Sequence, residues 1–261
     1  RKDIFHGALL TAVIAVILTT GCVLLCPWIL KMLSVTEDIY GNARIYILII
    51  FLGLPFTLLY NFLSSILRAV GDSRTPFLFL AFSACLNVVL DLICIIVFKW
   101  GCAGAAFATI TAQAISGLCC LIFIIKKVQI LHPKRKDCHL QPVYVKEMLV
   151  MGLPMGLQFS ITAIGSMVMQ SANNGLGSIY VSGFTAGMRI KQFAMCPFDA
   201  LANGVSVFCS QNLGAGQPDR IRQGFRESIL VAAGYGVLAG LVLIFLGRPL
   251  SLIFLSKDAV E

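Results

Sequence analysis

Asp91 is the residue with the most chemistry to offer. It is the only acid in the apolar run from Pro76 to Phe98. A carboxylate is costly inside a bilayer, and intramembrane acids face cavities and mark ion or proton paths. Asn87, four residues earlier, falls on the same helix face. Their oxygens at one height suit a sodium ion or a shared proton. Asp91 sits seven residues before Phe98, roughly 10 Å from the outer end of its helix at 1.5 Å per residue. The blander alternative is an Asp91 neutralised by protonation, with a packing role only.

A second group lies between Ser178 and Ser210, where Arg189, Lys191, Gln192 and Asp199 interrupt another apolar run. It is a candidate second site for a cation or a substrate. Arg189 and Lys191 are expected on different faces, one turned to a central cavity and the other snorkelling outward. Asp199 lies eight residues after Lys191, about 12 Å along a straight helix and too far for a direct pair. Gln158, Gln170 and Asn173 are further polar positions that line a cavity or bond between helices.

Enzyme chemistry finds little support. There is no His pair, no Gly-x-Ser-x-Gly context and no carboxylate pair within one helix turn inside an apolar run. The three His residues lie in or near loops and are expected to be solvated. None of the ten cysteines shows metal-ligand spacing with His partners. Cys119 and Cys120 read as small apolar fillers.

These residues must be positioned by membrane-spanning helices. Apolar residues make up 58% of the 261-residue chain and charged residues 12%; soluble domains are about half apolar and a quarter charged. The mean hydropathy is +0.90. A soluble fold could not cover that apolar surface, whereas a bilayer removes the need. The net charge of +8 is carried by clusters between apolar segments. That is a positive-inside bias and not a nucleic-acid surface. The chain opens Arg-Lys-Asp with neither Met nor a cleavable signal, so its first residue is expected to be an internal cut.

Seven segments follow. They run from about Gly7 to Leu33, Asp38 to Leu67, Pro76 to Phe98, Cys102 to Ile125, Glu147 to Ser171, Ser178 to Ser210 and Phe225 to Leu255. Ser34 to Asp38 supplies a Thr cap and first-turn acids. Pro76 suits the first position of its helix. Arg68 and Asp72 flank an inner turn, where a turn cap is expected over a gate. Lys99-Trp100-Gly101 reads as a tight turn, and Gly104-Ala105-Ala106 lets backbones approach in lipid. The sixth segment is too long for a straight span and is expected to kink near Pro197. Gln211 to Gln223 reads as a polar loop.

Residues 1–126 are read as part of an amino-terminal lobe with about four helices. Residues 127–146 form a basic cytoplasmic linker, and 147–261 belong to a carboxy-terminal lobe with about three helices. Lys126, Lys127, Lys134, Arg135, Lys136 and Lys146, with Pro133 and Pro142, mark that linker. Arg1, Lys2, Arg68, Arg74, Arg220, Arg222 and Arg226 fall on its side of the membrane; Lys31, Lys99 and Lys257 fall opposite. The linker is therefore inside. The first and seventh segments also resemble each other, with Phe5 matching Phe225, Pro27 matching Pro249 and Asp38 matching Asp258. Such a repeat implies a unit of six parallel-related helices and twelve in the complete protein.

The stretch Leu67-Arg-Ala-Val-Gly-Asp-Ser-Arg-Thr-Pro76, then Asn87 and Asp91, then Gly101-Cys-Ala-Gly-Ala-Ala-Phe-Ala-Thr109, resembles the multidrug and toxic compound extrusion (MATE) family. Gly152-Leu-Pro-Met-Gly156 and Gln211-Asn-Leu-Gly-Ala-Gly216 are similar to its second half. The resemblance implies an all-α membrane bundle covering the third to ninth of twelve helices, in two lobes. It implies a cation-coupled antiporter, driven by Na+ or H+, that exports organic cations by alternating access. The implied cation site comprises Tyr46, Asn87, Asp91 and Thr109, together with an Asp on a helix preceding this sequence. Thr109 and Tyr46 lie about as deep from the outer ends of their helices as Asp91 does; spacing alone does not say whether they converge.

No cofactor is expected beyond the coupling ion. The expected partners are small organic cations and membrane lipid, without nucleic acid, for a monomer in the plasma or inner membrane. The abundant Phe and Met suit an adaptable drug cavity and equally suit lipid contact. A lipid-linked oligosaccharide flippase of the same superfamily is the nearest rival and calls for a more basic cavity. A seven-helix receptor and a membrane-embedded enzyme are the more distant alternatives.

Overall fold

A computed structural model describes residues 2–32, 37–128, 139–174 and 178–251. Seven α-helices make up the described chain: α1 (Lys2–Met32), α2 (Glu37–Ala69), α3 (Arg74–Leu92), α4 (Gly101–Lys127), α5 (Pro142–Asn174), α6 (Ser178–Gly214) and α7 (Pro218–Ser251). Each is long and apolar enough to cross a membrane. A π-helical turn, Ile93–Val97, continues α3. The expected cap at Thr36, the linker residues Pro133 to Lys136, and Lys257 and Asp258 lie outside the described residues.

Several boundaries differ from the sequence expectation. α3 begins at Arg74, so Pro76 is its third residue and not its first; the first-turn N–H that Pro lacks has no helical partner to lose. Pro142 opens α5, so 142–146, expected in the linker, is helical. The expected loop Gln211 to Gln223 shrinks to 215–217. A Schellman cap explains this sharp stop. Gln217 N–H donates to Asn212 C=O at 2.9 Å and Gly216 N–H to Leu213 C=O at 3.0 Å, with Gly216 at φ +67°. Pro218 then starts α7 at once. α2 ends in the same way, with Gly71 at φ +92° and Asp72 N–H on Leu67 C=O at 2.9 Å. α6 runs on through Pro197, which does not divide it.

The chain forms two units, Arg1–Met151 and Gly152–Glu261. In the first, α2 and α4 pack closely because small residues line their contact. A side chain at Gly53 would meet Ile110, and one at Gly117 would come within 3.5 Å of the Phe56 carbonyl oxygen. Close backbone approach is how helices gain van der Waals contact where lipid removes the hydrophobic drive. Leu63 and Leu67 of α2 and Cys120 and Ile124 of α4 form the buried core. Cys120 is thus the apolar filler its position suggested.

α3 is tied to both helices. Tyr60 O–H donates to Pro76 C=O at 2.8 Å, and Ser116 O–H donates to Phe79 C=O at 3.0 Å. α1 lies on α2, with Gly7 facing Phe62. His6, expected to be solvated, is instead completely buried. Its Nδ1 bonds Lys2 C=O at 2.7 Å, and its Nε2 accepts the Gln141 N–H at 2.9 Å. A partner 135 positions away leaves no local signal in the sequence. In the second unit, α6 and α7 form an antiparallel pair. Tyr235 O–H donates to Ala194 C=O at 3.0 Å, Phe198 meets Tyr235 edge-on at 5.0 Å, and Gly224 faces Phe208.

Candidate functional site

α3 and α4 bring two of the expected site residues together. Asn87 Nδ2 donates to Thr109 Oγ1 at 3.3 Å. Thr109 O–H in turn donates to Ala105 C=O one turn back, at 2.9 Å. The hydroxyl proton is committed, so Thr109 offers its remaining lone pair and Asn87 its amide oxygen.

Asp91 lies one turn beyond Asn87, half-buried. Its Oδ1 is buried and has no hydrogen-bond partner. A buried, unsatisfied carboxylate oxygen is costly when charged and calls for a proton or a cation. The other such oxygen among the described side chains is Thr19 Oγ1 on α1, which the sequence reading did not single out. Tyr46 joins neither bond. It lines a cavity of about 530 Å³ between α2 and α4, with Asn42, Cys102 and Ala105. That cavity reaches the residue whose carbonyl holds Thr109 and contains no charge.

The backbone departs from α-geometry just after Asp91. Phe98 N–H reaches Ile93 C=O, five residues back, at 3.1 Å. Such wide turns are rare and often sit beside functional sites. Four of the five residues in Ile93-Cys-Ile-Ile-Val97 are β-branched, which crowds an ordinary helical turn. Gly104 lets this turn approach α4, since a side chain there would come within 3.0 Å of Cys94 Cβ and 3.2 Å of Trp100 Cβ. Lys99, at φ +56°, and Gly101, at φ +55°, make the expected tight turn. Trp100 stacks on Phe98 at 5.2 Å and meets Phe107 edge-on at 5.8 Å.

In the second unit, Arg189, Lys191 and Gln192 line one cavity of about 420 Å³ with Gln170 of α5. The two cations therefore share a cavity, where the sequence reading sent one outward. Asp199 is not among the lining residues. Asn173 instead donates to Tyr180 C=O at 3.4 Å. At the α2–α3 turn, Asp72 accepts the Thr75 N–H at 3.0 Å, which is a turn cap. The hydrogen bonds from Thr75, foremost its side chain, hold this carboxyl below the usual Asp range.

Seven helices long and apolar enough to cross a membrane, with a polar cluster within them, describe a multi-pass membrane protein. The MatE family model matches residues 1–93 and 154–260, and the chain belongs to that family. It is similar to the probable multidrug resistance protein YpnP of Bacillus subtilis, at 36% identity over 195 residues, covering 74% of this chain and 43% of that protein. It is also similar to the FAD transporter of Shewanella oneidensis, at 25% identity over 267 residues, covering 99% and 58%. An outward-facing multidrug resistance MATE transporter of the MOP superfamily shares the fold, with a TM-score of 0.88 at 20% identity over 96% of this chain and 56% of that one. The chain spans about half the length of the curated relatives it matches.

Proposed function

We propose that this chain is the central part of a twelve-helix antiporter that exports organic cations across the cell membrane, driven by inward Na+ or H+. The observation that carries the reading is the buried, unpartnered Oδ1 of Asp91, one helical turn from the Asn87–Thr109 hydrogen bond. An entering cation or proton neutralises Asp91 and lowers the cost of burying it. The neutral form then favours a different helix arrangement, and the protein exchanges outward- and inward-open states. Asn87 and Thr109 supply neutral oxygens for the ion. Tyr46 lines a neighbouring cavity with Ala105, whose carbonyl holds Thr109. The π turn after Asp91 supplies a segment that can change its hydrogen-bond register. The likeness to a probable multidrug resistance protein supports drug-like cargo, and the basic linker is taken as cytoplasmic.

The test uses the complete protein in proteoliposomes with ethidium and an imposed Na+ or H+ gradient. Gradient-driven movement is expected in the wild type. Asp91→Asn should abolish it while leaving the helical dichroism unchanged. Undiminished export by the variant would remove Asp91 from coupling, and wild type that moves no organic cation would sink the substrate assignment.

A further inference from the structure

We infer that the cavity between α5 and α6 is a binding site for the oxyanion group of an amphipathic organic anion, a phosphate or carboxylate attached to an apolar body. Three contacts fix its depth. Gly224 faces Phe208 and Gly236 faces Phe198, and Tyr235 bonds Ala194. Continued along the antiparallel pair, Arg189 and Lys191 come level with Leu241 to Phe245 of α7. α7 has no charged residue from Ser228 to Gly247. Two cations thus stand level with the last part of an apolar run, three to seven residues before Arg248.

Nothing described nearby offsets them. Among the described residues neither cation has an ion pair, and no acid lines the cavity. Asp199 lies eight residues beyond Lys191, about 12 Å along the helix. Of the uncharged polar groups facing the same space, Gln192 carries an amide donor, while Ser166 and Thr185 give their protons to Thr162 C=O and Val181 C=O. Phe184, Met188 and Met195 complete the lining with apolar, adaptable surface. An organic cation would meet two like charges here, whereas an oxyanion gains charge-assisted bonds from a guanidinium fork and an ammonium. The site extends the cargo to compounds that carry an oxyanion, alone or beside a cationic centre. It uses no residue of the Asp91 cluster, so it stands or falls separately from the coupling reading.

The experiment places the complete protein in phosphatidylcholine nanodiscs and follows 6-carboxyfluorescein binding by anisotropy. The double variant Arg189→Gln/Lys191→Gln should weaken binding at least tenfold. Thr185→Glu, which keeps both cations and adds an acid to the cavity, should weaken it comparably. Phosphatidylglycerol in the disc identifies the source: competition that the double variant abolishes points to a lipid headgroup, and its absence to a soluble anion. Equal probe binding by wild type and both cavity variants would overturn the inference. So would a wild type that neither binds the probe nor responds to phosphatidylglycerol.

Discussion

His6→Phe isolates one buried contact and leaves the packing nearly intact. The imidazole is fully buried, with its ring 5.2 Å from Tyr144 and 5.5 Å from Phe5. A backbone N–H can only donate, so the Gln141 bond at 2.9 Å makes Nε2 the acceptor. The proton must then sit on Nδ1 and point to Lys2 C=O. Phe keeps the ring shape and removes both nitrogens. The half-buried Gln141 N–H loses its acceptor, at about 1–2 kcal/mol, and the Lys2 carbonyl loses a second partner, at about 0.5–1 kcal/mol. The sum of about 1.5–3 kcal/mol falls on the segment entering α5. Local opening should become roughly 10- to 150-fold more frequent. Hydrogen exchange of the Gln141 amide in the complete protein reads this directly. Protection at Gln141 within a factor of two of wild type would refute the clamp.

Gly53→Val should destabilise the α2–α4 contact by about 1–3 kcal/mol, because the new side chain lands on Ile110; thermal unfolding in detergent should show it, and an unchanged midpoint would mean the helices separate freely. Tyr60→Phe removes the tie to Pro76 C=O and should cost about 0.5–1.5 kcal/mol, measurable in the same assay. Asp72→Ala should cost about 1 kcal/mol through the lost cap, while Asp72→Asn retains an acceptor and should restore most of it. The folded-state pKa of Asp72 lies below its ordinary value. Its contribution is therefore present above the unfolded value of about 3.9 and is lost as pH falls through the lower, folded value. Asp72→Asn should flatten that acid limb, and an unaltered limb would place the sensitivity elsewhere.

Much of the architecture was legible because it rests on local rules. Apolar runs of spanning length specify helices, since the backbone in lipid must satisfy its own hydrogen bonds. Gly71 and the tight turn at Lys99 were readable from turn chemistry, and Asp91 stood out because an acid in such a run is expensive. The face carrying Thr185, Met188, Arg189, Gln192 and Met195 recurs at helical spacing and could have been read as one lining. Chain length alone did not reveal how far α6 continues past Ser210, because a Schellman cap depends on which glycine takes the positive φ.

Composition and pattern by themselves determined the membrane class, the helix count, and Asp91 and Asn87 as candidate residues, because each follows from interactions within a few residues or with the solvent. Only the tertiary structure decided what meets across helices. It placed Asn87 on Thr109 and left Asp91 Oδ1 without a partner. It buried His6 against Gln141, put Arg189 and Lys191 in one cavity, and kept Asp199 out of it. Those outcomes depend on the approach and rotation of separate helices. That geometry is set by small contacts such as Gly53 on Ile110 and Gly104 on Cys94, which helical periodicity does not encode.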